Sequence, residues 1–268
     1  MTSGVEAMPE IACSVCGRRG AFYYRHSSGE RLCSRCLEES LTSRIKHSFS
    51  GRVRLGREPF ITVYIPPDRV VEGAVLTCLL SKIEARFNGR VGVVAPRGVL
   101  SAVRELASNA LTVGGNVHYR ELGGLSAECR CSTGESITNS VGVLEGLSGS
   151  QVLQGAQAIL LPYTLTDLDE ALMEYVIFGS SGAAPADLSG LTIGGTPVVC
   201  PFCTVQRVDV MALAYVYGVL RLASESVRVG DEGVCRAYAL IKELVSEISL
   251  NHPELTHTML KSRKFFRR

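Results

Sequence analysis

Long hydrophobic runs are missing from this 268-residue chain: no apolar stretch reaches the roughly 18 residues that a membrane span needs. Met1 to Ile11 carries neither a basic n-region nor an apolar core, so no secretory leader is expected. Lysine is scarce, with five against twenty-three arginines. That bias favours planar, bidentate recognition of phosphate, although genome composition produces it equally well. No period of roughly 20–50 residues recurs, which argues against a repeat architecture. Ten cysteines without a leader argue for a reducing compartment, the cytoplasm by default, where thiols ligate metals or react. What is present in quantity is apolar: 46% hydrophobic residues and a mean hydropathy of +0.18. That is ample for one large domain, or for one of about 200 residues with a small appendage.

Four cysteines fall into two pairs, Cys13-Ser-Val-Cys16 and, sixteen residues later, Cys33-Ser-Arg-Cys36. Each C-x2-C knuckle turns two sulfurs toward one point, and the separation matches a four-thiolate zinc site. Four sulfurs about 2.3 Å from Zn²⁺ make a closed structural centre; two free thiol pairs or two disulfides are the plainer alternatives. Between the pairs, Ala21 to Arg25 reads as a short aromatic strand and Ser27-Ser28-Gly29 as a turn, the outline of a ribbon hairpin. Leu37 to Phe49 then reads as a helix, with Leu37, Leu41, Ile45 and Phe49 recurring at i+4.

Charge is uneven. Residues 1–57 hold ten Lys/Arg against five Asp/Glu, Lys261 to Arg268 holds five basic residues and no acidic one, and 58–260 balances at −8. Basic ends beside a metal module point to a phosphate-backbone partner, because Lys/Arg contacts release condensed counterions. Arg18, Arg19, Arg35, Arg44 and Lys46 are the RNA-binding candidates. Ordinary solvated charge is the alternative.

The body alternates strands and helices. Strands are expected at Phe60 to Ile65, Arg90 to Ala95, Asn116 to Leu122, Ala158 to Pro162 and Thr196 to Pro201. Helices are expected at Glu72 to Phe87, Val99 to Leu111, loosely at Gly142 to Gly155, and at Asp167 to Phe178 with Thr166 as its N-cap. Further helices are expected at Val208 to Leu222 and Glu232 to Leu250, before a closing segment, Glu254 to Phe266. Gly179 to Gly195 reads as a flexible loop. Such alternation implies a parallel sheet with helices on both faces. Cys78 falls on an apolar helix face and is expected in the core.

Several stretches resemble the archaeal and eukaryotic tRNA 2-thiolation (thiouridine synthetase) family of the ATP-pyrophosphatase, or PP-loop, superfamily. They are the ribbon with Gly29-Glu-Arg-Leu-Cys-Ser-Arg-Cys and its basic helix, Ala158-Ile-Leu-Leu-Pro-Tyr-Thr-Leu-Thr-Asp-Leu-Asp-Glu, Gln206-Arg-Val-Asp-Val-Met-Ala-Leu-Ala-Tyr, and His252-Pro-Glu-Leu-Thr-His. The resemblance spans nearly the whole chain. It implies an α/β fold: a doubly wound, mostly parallel sheet (adenine-nucleotide alpha-hydrolase-like) at residues 55–268, behind a zinc ribbon and basic helix at 1–50. It also implies ATP with Mg²⁺ to adenylate a tRNA uridine, a sulfur donor such as a ubiquitin-like carrier, and in many members a three-cysteine iron–sulfur cluster.

The chain departs from that family at its phosphate loop. Where the family reads Ser-Gly-Gly-x-Asp-Ser, this sequence reads Pro66-Pro-Asp-Arg-Val-Val-Glu-Gly. Prolines lack amide donors and Val70-Val71 blocks close approach to a phosphate. The family's Gly-His-Asn is replaced by Pro162-Tyr-Thr. Asp167, Asp169 and Glu170 persist nearby as nucleotide or Mg²⁺ candidates, or as plain first-turn helix acids. By resemblance Cys131 and Cys235 are the catalytic candidates, and Cys129, Cys131, Cys200, Cys203 and Cys235 form a pool for a second metal or iron–sulfur site. Cys200-Pro-Phe-Cys203 also reads as a redox pair or as buried thiols.

The expected function is a divergent, non-catalytic or weakly catalytic tRNA-binding subunit of a tRNA sulfurtransferase, partnered by an active paralogue or by a second copy. An active sulfurtransferase with an altered nucleotide loop and a stand-alone zinc-ribbon RNA-binding protein are the alternatives.

Overall fold

The ribbon is built from β1 (Tyr23–Arg25) and β2 (Glu30–Leu32), an antiparallel pair in which Tyr23 faces Leu32. This is a computed structural model, and it describes residues 11–51, 53–110, 116–122, 132–178, 188, 190–220 and 236–262. From β2 the chain passes into α1 (Ser34–Phe49), whose buried stripe Leu37, Leu41, Ile45 and Phe49 is the i+4 pattern read from the sequence. That stripe shares one continuous core with Ile61 and Val63 of the sheet and with Val210 and Leu213. The ribbon therefore rests on the body instead of hanging from it.

The body follows the order β3 (Phe60–Tyr64), α2 (Val70–Glu84), β4 (Arg90–Pro96), α3 (Arg97–Ala110), β5 (Asn116–Leu122), α4 (Thr133–Gly146), β6 (Ala158–Leu160) and α5 (Leu165–Phe178). It continues through β7 (Thr192–Ile193), β8 (Thr196–Val199), α6 (Arg207–Val216), α7 (Arg236–Asn251) and α8 (Pro253–Ser262). The six-stranded sheet runs β5-β4-β3-β6-β8-β7, parallel except for the β7–β8 edge. Successive side chains alternate between faces. Ile61, Val63 and Ile65 pack with α2, whereas Tyr64, Ile159 and Leu161 pack with α4 and α5. Strand order reverses between β3 and β6, and in doubly wound sheets that switch point, at the carboxyl ends of the strands, is where ligands bind. The expected α/β doubly wound fold is the fold found, and Cys78 lies fully in the core, where burial pushes its thiol up to about 12.

Three local expectations are corrected. The helix expected over Gly142 to Gly155 instead spans Thr133–Gly146. Ser132 caps it by accepting from the Glu135 N–H at 3.1 Å, and turns follow from Leu147. The Ser-x-x-Glu signature of a helix start was legible at 132–135, but the glycines downstream drew the boundary too late. The cap of α5 is Thr164, not Thr166. Asp167 donates its N–H to Thr164 Oγ1 at 3.3 Å, and the Thr164 N–H donates back to Asp167 Oδ2 at 2.6 Å. The end of the stretch read as a loop, Thr192 onward, folds as the β7–β8 hairpin. Gly194 and Gly195, at φ +56 and +82, supply the two positive dihedrals that a two-residue turn of this kind requires.

Candidate functional site

Backbone turns aim the four ribbon sulfurs. Gly17, at φ +62, closes the first knuckle with its N–H donating to the Cys13 carbonyl at 2.8 Å. Cys33 immediately precedes α1 and Cys36 sits in its first turn. The Sγ atoms of Cys13, Cys16, Cys33 and Cys36 all lie within 4.8 Å of one another, with Cys16 and Cys33 at 3.9 Å. A tetrahedral ion held at about 2.3 Å sets sulfur–sulfur edges of about 3.8 Å, so the group fits a four-thiolate metal site. The Cys16 backbone amide leads in holding the Cys13 thiol down, to about 6. The Arg18 amide holds Cys16 low, whereas burial raises Cys36.

Near this centre Arg18, Arg19 and Arg35 are exposed, and Lys46 is exposed at the far end of α1, in its last turn. Arg35 pairs with Glu39 one turn along α1 at 2.8 Å. Arg44 is half-buried and donates to the Thr204 carbonyl at 3.1 Å, tying α1 to the body. Strand alternation turns Phe22 and Tyr24 outward, 43% and 49% exposed. Tyr23 points inward instead and donates to Asp209 Oδ1 on α6 at 2.7 Å. Arg25, buried, reaches the same carboxylate at 3.2 Å and Glu30 at 3.0 Å. Arg25 and Asp209 are a buried latch between ribbon and body that no motif signalled.

The mouth of the sheet at the β3–β6 switch point is filled by the chain itself. After β3, Pro66 and Pro67 carry the backbone into Asp68 and Arg69, and Arg69 stands directly before α2. Arg69 is buried, its guanidinium over the Tyr163 ring (5.7 Å to the centroid), with Nη2 at 2.6 Å from Asp167 Oδ1 and Nη1 at 3.1 Å from Asp68. Helix α2 can pack this closely because residue 73 is glycine: a Cβ there would lie 2.6 Å from the Ile65 side chain. Arg207, at the start of α6, reaches the same Asp167 oxygen and donates to Glu170 Oε1 at 2.8 Å.

Asp167, Asp169 and Glu170 are fully buried. Asp167 is held by two guanidinium groups and by Thr164, and Glu170 by Arg207 and the Thr133 hydroxyl at 2.8 Å. Burial opposes the charged form of Asp167, but Arg207 and Arg69 outweigh it and hold the carboxyl well below its ordinary range. Glu72, buried beside the same cluster, is pushed up to about 7 by burial and by the Asp167 charge. The N-terminus of α4 is occupied too: Thr133 and Gly134 both donate their N–H groups to Glu174 at 2.9 Å. Helix N-termini are natural anion sites, and the one at α4 already holds a carboxylate of this chain.

Cys129, Cys131 and Cys235 lie outside the described residues. Cys200 and Cys203 are joined in a disulfide at the carboxyl end of β8, and in that form neither sulfur is a metal ligand. Sequence reading missed Arg69, Arg207, Glu72 and Glu174. The available signal was the burial implied by Val70-Val71 and the first-turn acids of α5, which left polar groups needing partners.

No family model matches the chain, and no curated protein matches it. Among solved structures it is similar to the U34-tRNA thiolase NcsA from Methanococcus maripaludis with its [4Fe-4S] cluster. The superposition has a TM-score of 0.69 at 14% identity and covers 97% of this chain and 88% of that one. At such identity the likeness carries the fold alone: this chain shares that structure's α/β architecture, and its own four-cysteine group, Cys13, Cys16, Cys33 and Cys36, is able to hold a metal.

Proposed function

We propose that this chain is a tRNA-binding partner subunit of a cytoplasmic tRNA 2-thiolation system, with Zn²⁺ in the Cys13, Cys16, Cys33 and Cys36 site and no ATP chemistry of its own. The observation that carries this reading is the Arg69–Asp167–Arg207 cluster. It places side-chain cations and carboxylates where a PP-loop enzyme needs open backbone amides for pyrophosphate and free acids for Mg²⁺. Removing those ions to admit a nucleotide would break buried pairs, at a cost of roughly 3–5 kcal/mol for each partner left uncompensated. Support for tRNA as the ligand comes from the thiolase neighbour and from the ribbon surface, where exposed Arg18 and Arg19 share the hairpin with outward-facing Phe22 and Tyr24. Cations contact phosphates and aromatic rings stack on unpaired bases. Chemistry would come from a partner, an active paralogous subunit or a ubiquitin-like sulfur carrier.

The test pairs two measurements on the zinc-loaded protein. Fluorescence anisotropy with a tRNA is expected to give saturable, salt-dependent binding, and the Arg18→Ala/Arg19→Ala/Arg35→Ala variant should bind more weakly with a flatter dependence of log K on log salt. ATP–pyrophosphate exchange should stay at background with tRNA present. Exchange above background overturns the non-catalytic assignment, and an unchanged salt slope in the triple variant removes the ribbon from the RNA surface.

A further inference from the structure

The Cys200–Cys203 bridge stands apart from the ribbon and from the filled mouth, and nothing in the proposed RNA binding uses it. It closes a loop of sequence separation 3, too short to restrain an unfolded chain much, since loop-closure stabilisation grows with loop length. The turn is held without it. Val205 donates its N–H to the Phe202 carbonyl at 2.8 Å, Leu165 donates to the Val205 carbonyl at 2.8 Å, and the Phe202 ring is fully buried. Both sulfur-bearing residues keep partial exposure, whereas Cys78 has none.

Their surroundings differ in a way that assigns roles. Cys200 Sγ lies 3.0 Å from the Tyr163 carbonyl oxygen, so the reduced thiol has an acceptor that keeps its proton in place. Cys203 lies in the turn that leads to α6, four residues before that helix begins at Arg207, and the Arg44 guanidinium binds the carbonyl of the very next residue, Thr204. A nearby cation favours a thiolate.

We propose that Cys200 and Cys203 form a thiol–disulfide exchange site that acts on a disulfide or dithiol of a partner molecule, with Cys203 as the attacking sulfur and Cys200 as the resolving one. In the reduced chain the Cys203 thiolate attacks one sulfur of the partner's disulfide. That bond breaks, a mixed disulfide forms, and the partner's other sulfur leaves as a thiolate and takes a proton from water. Cys200 then gives up its proton to solvent and attacks Cys203 Sγ, closing the intramolecular bridge and releasing the partner's second thiolate. Two electrons pass to the partner, and a dithiol reductant resets the pair by the reverse steps.

The test uses full-length, zinc-loaded protein equilibrated in graded mixtures of reduced and oxidised dithiothreitol, quenched with N-ethylmaleimide and read by peptide mass. The Cys200–Cys203 peptide should pass from unlabelled to doubly labelled while circular dichroism stays native and the ribbon zinc is retained. With oxidised glutathione as probe, Cys203 in the Cys200→Ser variant should form the mixed disulfide at least tenfold faster than Cys200 in the Cys203→Ser variant. A bridge that resists excess dithiothreitol until the chain unfolds overturns the proposal, as does a pair that stays reduced in excess oxidised glutathione. Equal rates in the two variants overturn the assignment of roles.

Discussion

Arg69 sets a buried side-chain cation at the β3–β6 switch point, and the acids around it answer that one charge. Asp167, which would otherwise be a buried anion with only the Thr164 hydroxyl and amide as donors, gains Arg69 on one side and Arg207 on the other. Truncating Arg69→Ala should destabilise the fold by about 3 kcal/mol, because the loss leaves Asp68 and Asp167 under-compensated in a buried setting; urea unfolding at neutral pH measures it. Glu72 gives a prediction with the opposite pH sense. Its folded value of about 7 lies above the ordinary carboxyl range. Its contribution to stability is therefore present below about pH 4.5 and lost as pH rises through about 7. Glu72→Gln keeps the shape and stays neutral, so the variant should gain on the wild type above about pH 7 and flatten the stability profile between about pH 5 and 8. Parallel profiles would mean that Glu72 is charged against Arg207 throughout. Asp167, held low, contributes in the other sense: its share is lost only as pH falls toward strongly acid conditions.

At the scale of elements, helix starts decide where charges end up. The reciprocal bonds between Thr164 and Asp167 begin α5 and also aim the Asp167 carboxylate at both arginines. Thr164→Ala should therefore cost about 1 kcal/mol for the lost cap and more through the loosened ion cluster. A thermal melt reporting about 1 kcal/mol or less would separate the cap from the cluster. The elements themselves were mostly legible in sequence. The i+4 stripe of α1 and the β-branched runs of β3 and β4 carry periodicity and propensity in adjacent residues. Where the reading failed, at α4 and at β7, glycine was the reason: it weakens a helix pattern but is demanded by a tight hairpin, and only the partner strand reveals which applies.

For the whole molecule, the ribbon and the body are one packing problem. Cys13, Leu32, Cys33 and Cys36 share a core cluster with the α2 and α6 side of the sheet, and Tyr23 and Arg25 are latched to Asp209. Metal removal by a chelator should then lower the unfolding midpoint of the entire chain, by roughly 2–4 °C for each kcal/mol of metal-linked stability. Hydrogen exchange in α1 and at the start of α6 should accelerate with it. Exchange confined to residues 11–33 would show a ribbon that melts alone. Asp209→Asn is expected to reproduce part of the α6 response with metal still bound, since it weakens the Arg25 pair without touching a sulfur.

The sequence alone determined the four-cysteine group, the alternating α/β order and a glycine-free Pro66-Pro67 stretch directly after β3, because each is written in neighbouring residues: paired cysteines, hydrophobic periods, prolines that lack amide donors. Tertiary structure alone decided what fills the mouth of the sheet. Arg69, Asp167 and Arg207 belong to three separate helix starts, brought together only when β3, β6 and β8 lie side by side in the sheet. The latch from Tyr23 and Arg25 to Asp209 spans more than 180 positions of chain for the same reason. Ion pairs of that kind leave no periodic trace. They depend on which loop ends the fold stacks at one edge, and burial is what gives them their strength.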